Sequence, residues 1–119
     1  MIKGIGCDIV EIGRVERLTG VPRFLEKVYT PCERERIACG GPQAAAGIWA
    51  AKEAAAKALG TGFSGFALRD IEILHAESGA PFVRLHGGAQ RRLDALGGDS
   101  IHISISHDQH SAIAFAVAE

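Results

Sequence analysis

Trp49-Ala50-Ala51-Lys52-Glu53-Ala54-Ala55-Ala56-Lys57-Ala58-Leu59-Gly60 reads as a helix from end to end. Ala, Glu, Lys and Leu all have high helix propensity, and Gly60 supplies a left-handed stop. Glu53 and Lys57, four residues apart, therefore share one face about one turn from each other. Trp49, a turn earlier, extends that face to the order aromatic, acid, base. Such a stripe suits a site for a metal and a phosphate. Taken alone, it reads first as an ordinary Glu/Lys pair on a solvated face.

Two further segments bear on that choice. The amino-terminal run Ile2-Lys3-Gly4-Ile5-Gly6-Cys7-Asp8 is a strand pattern with two glycines shortly before a single aspartate. An acid at a strand end beside glycines approaches a cation without obstruction by side chains. Near the carboxyl terminus, Ile101-His102-Ile103-Ser104-Ile105-Ser106-His107 alternates apolar and polar residues, which predicts a half-buried strand with a polar row on one face and His107 in the turn after it.

A chain of 119 residues is the size of one domain, with a modest core to which oligomerisation adds buried surface. Hydrophobic residues make up 47% and charged residues 23%, the balance of a soluble globular protein. A formal net charge of -1 provides no global field to draw in nucleic acid or anionic lipid. No apolar run approaches the roughly 20 residues needed to span a bilayer, and Met1-Ile2-Lys3 leads into a strand rather than a signal peptide. A cytoplasmic protein with no membrane or nucleic-acid partner is expected. Cys7, Cys32 and Cys39 lack the CxxC spacing of a zinc or redox site and are expected to be reduced. Strand alternation turns Cys7 away from Asp8, into the core.

Along the chain, residues 2–8 read as a strand and 10–18 as a short helix. Val21-Pro22 and Thr30-Pro31 each place a proline at a helix start, and Thr30 with Glu33 forms a capping box. Helices follow over 22–28 and 31–38, then a break at Gly40-Gly41-Pro42, then the long helix over 43–59. Residues 60–65 form a glycine-rich loop whose backbone can lie close to a phosphate. Strands over 69–75 and 81–86 make a hairpin around Glu77-Ser78-Gly79-Ala80, residues 88–96 a helix, and the terminal strands a second hairpin turning at Asp108-Gln109-His110. The class is α+β, a single domain with a mainly antiparallel sheet and one long helix.

In this order, Gly6-Cys7-Asp8 with Arg14 six residues on, the helix of residues 49–60, and Ser104-Ile105-Ser106-His107 resemble the signatures of the holo-acyl-carrier-protein synthases, small bacterial 4'-phosphopantetheinyl transferases. The resemblance covers essentially the whole chain. It implies a 4'-phosphopantetheinyl transferase domain over residues 1–119, assembled as a trimer with active sites between protomers. It also implies a reaction: the 4'-phosphopantetheine of coenzyme A moves to a serine of apo acyl carrier protein, in fatty-acid or polyketide synthesis, releasing adenosine 3',5'-bisphosphate. A reading from another class is a non-catalytic coenzyme A or nucleotide-binding module, which has no need of an acid-and-lysine constellation.

Transfer through a pyrophosphate rests on positioning and on neutralising oxygen charge. Mg²⁺ suits it, taking one or two protein carboxylates and completing its sphere with phosphates and water. The resemblance assigns Asp8 and Glu53 to the metal, and Lys57 to charge stabilisation on the phosphate. The base for the serine is Glu53 or a metal-bound water. Gly60, Gly62, Pro81 beside Gly79, Ser106 and His107 are candidates for coenzyme A contact. Arg14, with Arg17, Arg23 and Phe24, would form a basic edge for an acidic carrier helix. The chain departs from the family at Ile48, where many members carry an arginine able to contact substrate phosphate. Arg69 and Lys52 are candidate replacements. Residues 37–46 are also short for the family.

Overall fold

The computed structural model describes residues 1–60 and 64–119. Its elements are β1 (Gly4–Glu11), α1 (Ile12–Thr19), α2 (Pro22–Val28), α3 (Pro31–Leu59), a 3-10 turn (Leu68–Asp70), β2 (Ile71–His75), β3 (Pro81–Leu85), α4 (Gly87–Ala95), β4 (Ile101–His107) and β5 (Ser111–Ala118). The α+β class and the long helix stand as the sequence predicts. The strands form two antiparallel sheets rather than one: β1-β5-β4 and β2-β3.

α3 begins with the expected capping box. Glu33 N–H donates to Thr30 Oγ1 at 3.3 Å, and Thr30 N–H donates to Glu33 Oε1 at 2.8 Å. The predicted break lies inside this element, where Gly41 adopts φ 75 and ψ -160 and Pro42 restarts the helix. That backbone region is open to glycine at little steric cost, so the chain turns there without losing the helix on either side.

Packing of the second half of α3 against the three-stranded sheet sets the site. Ala112, Ala114, Ala116 and Ala118 of β5 face it and are buried, as are Ala50, Ala51, Ala54, Ala55 and Ala58 of the helix. Small residues on both sides let the two backbones approach closely. At Gly6 the approach is tightest: a Cβ there would overlap the Ala54 carbonyl oxygen. Strand alternation then places Asp8, two residues on, toward the same helix.

The opposite sheet face is open. Ile5, Ile9 and Phe115 expose 69%, 65% and 56% of their surface. Cys7, paired with Phe115 in the ladder, lies on this face and is half-buried rather than in the core, because the core is on the other side of β1. All three cysteines are free.

Two strand ends differ from expectation. β1 continues past Asp8 because Val10 and Glu11 still pair with Ala112 and Ser111, so Asp8 sits within the strand. His107 pairs with Ala112 as the last residue of β4. The turn proper starts at Asp108, whose Oδ1 accepts from His110 N–H and Ser111 N–H at 2.9 and 2.8 Å.

Candidate active site

Asp8, Glu53 and Lys57 converge where β1 crosses α3. Lys57 Nζ donates to the Cys7 carbonyl oxygen at 2.9 Å and to Asp8 Oδ1 at 3.2 Å. The lysine therefore bridges helix and strand, an arrangement the i,i+4 spacing with Glu53 does not reveal. Glu53 accepts a hydrogen bond from Trp49. Burial pushes its carboxyl above the usual glutamate range and the Asp8 charge adds to this, against smaller opposing effects of Lys57 and Trp49.

Trp49 is held by aromatic packing. Its ring stacks on Phe24 at 5.0 Å and 19°, and Phe24 meets Tyr29 edge-on at 6.1 Å. Phe24 is thus half-buried inside the fold and ties α2 to the helix face that carries Glu53. Arg14, Arg17 and Arg23 are exposed on α1 and α2.

Two neighbouring carboxylates, with one ammonium close by, match the donor set of a hard divalent cation. Among the described residues no group of three or more His, Cys, Asp or Glu gathers to hold a metal alone. A cation held by Asp8 and Glu53 would therefore take its remaining ligands from substrate oxygens and water, the usual habit of Mg²⁺.

A cleft of about 1110 Å³ lies on the other flank of α3, between the two sheets. Gly79, Pro81 and Phe82 from the β2-β3 hairpin, Ile48 from α3, and Ile105 and His107 from β4 line it. The structure thus gathers His107 with Gly79 and Pro81, from which the sequence separates it by some 26 positions. Asp8, Glu53 and Lys57 are not part of this lining.

The other candidates are dispersed. Gly60 has φ 84 and closes α3, with its N–H directed to Ala56 and Lys57 carbonyls, and Arg92 Nε donates to the neighbouring Leu59 carbonyl at 2.8 Å. Gly62 lies outside the described residues. Ser106 is exposed and, by alternation with Ile105 and His107, lies on the open sheet face.

Lys52 is unable to replace the arginine absent at Ile48. Its ammonium is fully buried, paired with Glu33 Oε1 at 2.8 Å, and donates to the Leu68 and Ile71 carbonyls at 3.0 and 2.8 Å. Three acceptors satisfy its three hydrogens. Arg69 stands in the 3-10 turn and is not among the cleft residues.

The role of Glu33 goes beyond the cap read from sequence. Its Oε2 also accepts from Ile73 N–H at 2.7 Å, so one carboxylate joins both halves of α3 to β2. Beside it, burial would raise the Glu72 carboxyl, but hydrogen bonds from Thr30 and His86 hold it below the usual range. His86 Nε2 lies 3.0 Å from Glu72 Oε1. The only sequence signal for this network was the capping box. Pairing between residues 19 or 40 positions apart leaves no periodic trace.

A three-stranded antiparallel sheet packed on an alanine-rich helix, with carboxylates and a lysine at their crossing, defines an α+β domain with a charged site on one helix face. Residues 4–116 match the family model of the 4'-phosphopantetheinyl transferase superfamily, and the chain belongs to that superfamily. The holo-[acyl-carrier-protein] synthase of Solidesulfovibrio magneticus is 47% identical to it over 122 residues, covering 100% of this chain and 99% of that protein. The crystal structure of the holo-[acyl-carrier-protein] synthase of Neisseria meningitidis matches with a TM-score of 0.90 and 35% identity, covering 100% of this chain and 99% of the other. The Helicobacter pylori holo-[acyl-carrier-protein] synthase, crystallised in complex with coenzyme A, matches with a TM-score of 0.85 and 34% identity over 97% and 99% of the two chains.

Proposed function

We propose that this protein is a Mg²⁺-dependent holo-acyl-carrier-protein synthase, moving the 4'-phosphopantetheine of coenzyme A to a serine of apo acyl carrier protein. The observation that carries this reading is the convergence of Asp8, Glu53 and Lys57 from two elements, with the Glu53 carboxyl raised by burial and by Asp8. Similarity along the whole chain to holo-[acyl-carrier-protein] synthases, one of them crystallised with coenzyme A, supports the substrates.

The serine Oγ forms a bond to the phosphorus that carries the pantetheine. The bond from that phosphorus to the bridging oxygen breaks, and adenosine 3',5'-bisphosphate leaves. The serine proton passes to a base at the carboxylate pair. Asp8 and Glu53 would hold Mg²⁺, which would supply neutralisation of the pyrophosphate's negative charge. Lys57, held 3.2 Å from Asp8, supplies an ammonium to the charge that builds on the leaving phosphate. Trp49 fixes the Glu53 carboxylate by its hydrogen bond.

Coenzyme A occupies the cleft, where Pro81 and Phe82 offer an apolar wall to the base and His107 a polar end. Ser106, Gly60 and Gly62 make lesser contacts with the substrate. The chain works in the cytoplasm as a trimer. Two observations support that assembly: the open sheet face exposes Ile5, Ile9 and Phe115, and one substrate must meet both the cleft and a carboxylate pair that the cleft does not include. Joining the cleft of one protomer to the carboxylates of the next completes the site. Arg14 and Arg23, exposed on α1 and α2, receive the acidic carrier, and Phe24 anchors that edge on Trp49.

Steady-state assay of bisphosphate release separates this reading from a binding module. Wild type with coenzyme A, Mg²⁺ and apo carrier should release one bisphosphate per carrier, and Asp8→Asn should lose most of that turnover together with its response to added Mg²⁺. Coenzyme A binding without release would leave only a binding module.

A further inference from the structure

We propose that Arg36 anchors the 3'-phosphate monoester of coenzyme A in the cleft, supplying the charge that the isoleucine at position 48 does not. The inference rests on the reading of the cleft as the coenzyme A site.

A phosphate monoester placed against Ile48, Pro81, Phe82 and Ile105 without a cation would lose its hydration with little in return. Among the described residues lining the cleft, Arg36 is the sole arginine or lysine. It stands on the first half of α3, before the Gly41 kink, and is exposed. No ion-pair partner holds it among the described residues, so its five donors are available for bidentate contact with phosphate oxygens.

The other polar groups of the cleft fit this assignment. His75 also lines it, and burial together with the Arg36 charge pushes its imidazole below the usual histidine range, leaving it neutral near pH 7. Its neutrality avoids a second cation against Arg36 and leaves ring donors and acceptors for the phosphate rim.

Which phosphate meets Arg36 follows from the division of the site. The pyrophosphate must reach the Asp8 and Glu53 carboxylates, which lie outside the cleft lining. The phosphate left for the cleft is the 3'-monoester. The two residues named from sequence as replacements are excluded by position: Lys52 is sealed against Glu33, and Arg69 is not in the cleft lining.

The test compares coenzyme A with 3'-dephospho-coenzyme A, by calorimetric binding and by transfer to apo carrier, in wild type, Arg36→Ala and Arg36→Lys. Wild type should bind coenzyme A roughly 10- to 100-fold more tightly than the dephospho form, the scale of a charge-assisted hydrogen-bonded contact. Arg36→Ala should lose that preference, with affinity for the dephospho form and the melting temperature unchanged, and Arg36→Lys should restore part of it. A preference that survives in Arg36→Ala, or an equal loss for both ligands, overturns the proposal. Retained transfer in either case leaves the transferase reading intact, whereas wild type that binds neither ligand overturns both.

Discussion

Burial raises the Glu53 carboxyl above the ordinary glutamate range, and the neighbouring Asp8 charge raises it further. An acid whose folded-state pKa lies above its unfolded value contributes stability below the unfolded value and loses it as pH rises through the folded one. At neutral pH the metal-free protein therefore carries the Glu53 charge at a net cost. Glu53→Gln keeps an acceptor for Trp49, and should raise the metal-free melting temperature at pH 7 by an amount that shrinks as pH falls toward the ordinary glutamate range, while transfer is lost. An unchanged or lower melt at neutral pH would contradict this. Lys57 contrasts with it. Its pair with Asp8 is partly exposed, 55% on the lysine side, so the pair contributes at most about 0.2–1 kcal/mol to stability. Lys57→Ala should nonetheless lower single-turnover transfer by roughly 10²–10³-fold, the scale for removing one donor from a charge that develops in the transition state; an unchanged transfer rate beside a lowered melt would remove Lys57 from the mechanism. Both residues were legible in the sequence because helical spacing puts them on one face. That Lys57 reaches Asp8 was not, since 49 positions separate them and only the crossing of β1 over α3 brings them together.

The element that sets this crossing is β1, and its glycines matter more than its aspartate for getting it there. Gly6 packs against the Ala54 carbonyl and Gly4 against that of Ala58, with no space for a Cβ at either. Gly6→Ala should force the strand off the helix, at about 1–3 kcal/mol as an overpacking substitution, and should reduce transfer by more than the fraction unfolded accounts for because Asp8 moves with the strand. Urea unfolding with transfer measured at full folding tests this; full activity in the folded variant would show that the spacing is not required. The sequence revealed the elements but not all of their ends. The capping box at Thr30, the break at Gly40-Gly41-Pro42 and the Ile/Ser alternation after Ile101 rest on local chemistry and stand in the structure. The length of β1 and the place of His107 depend on ladder pairing to β5, and the buried Glu33–Lys52 pair depends on how α3 packs against β2. Such partners lie outside any local window.

At the scale of the molecule, one sheet carries two different faces. The α3 side is closed by alanines, and the far side leaves Ile5, Ile9 and Phe115 uncovered. Isolated exposed apolar residues are ordinary, but neighbours on one sheet face mark a surface for association. Phe115→Asp combined with Ile9→Asp should convert a trimer to monomers in light scattering and remove transfer, with coenzyme A affinity reduced; a variant that remains trimeric would place the interface elsewhere. The proposed trimer would also account for a cleft and a carboxylate pair on different flanks of one helix in a single chain. The most direct measurement is the intact mass of a purified apo acyl carrier protein after incubation with this protein, coenzyme A and Mg²⁺, beside a parallel sample with the metal chelated. A gain of one phosphopantetheine group on the carrier, absent on chelation, is the expected result; an unchanged carrier mass under conditions where the protein binds coenzyme A would contradict the transferase account.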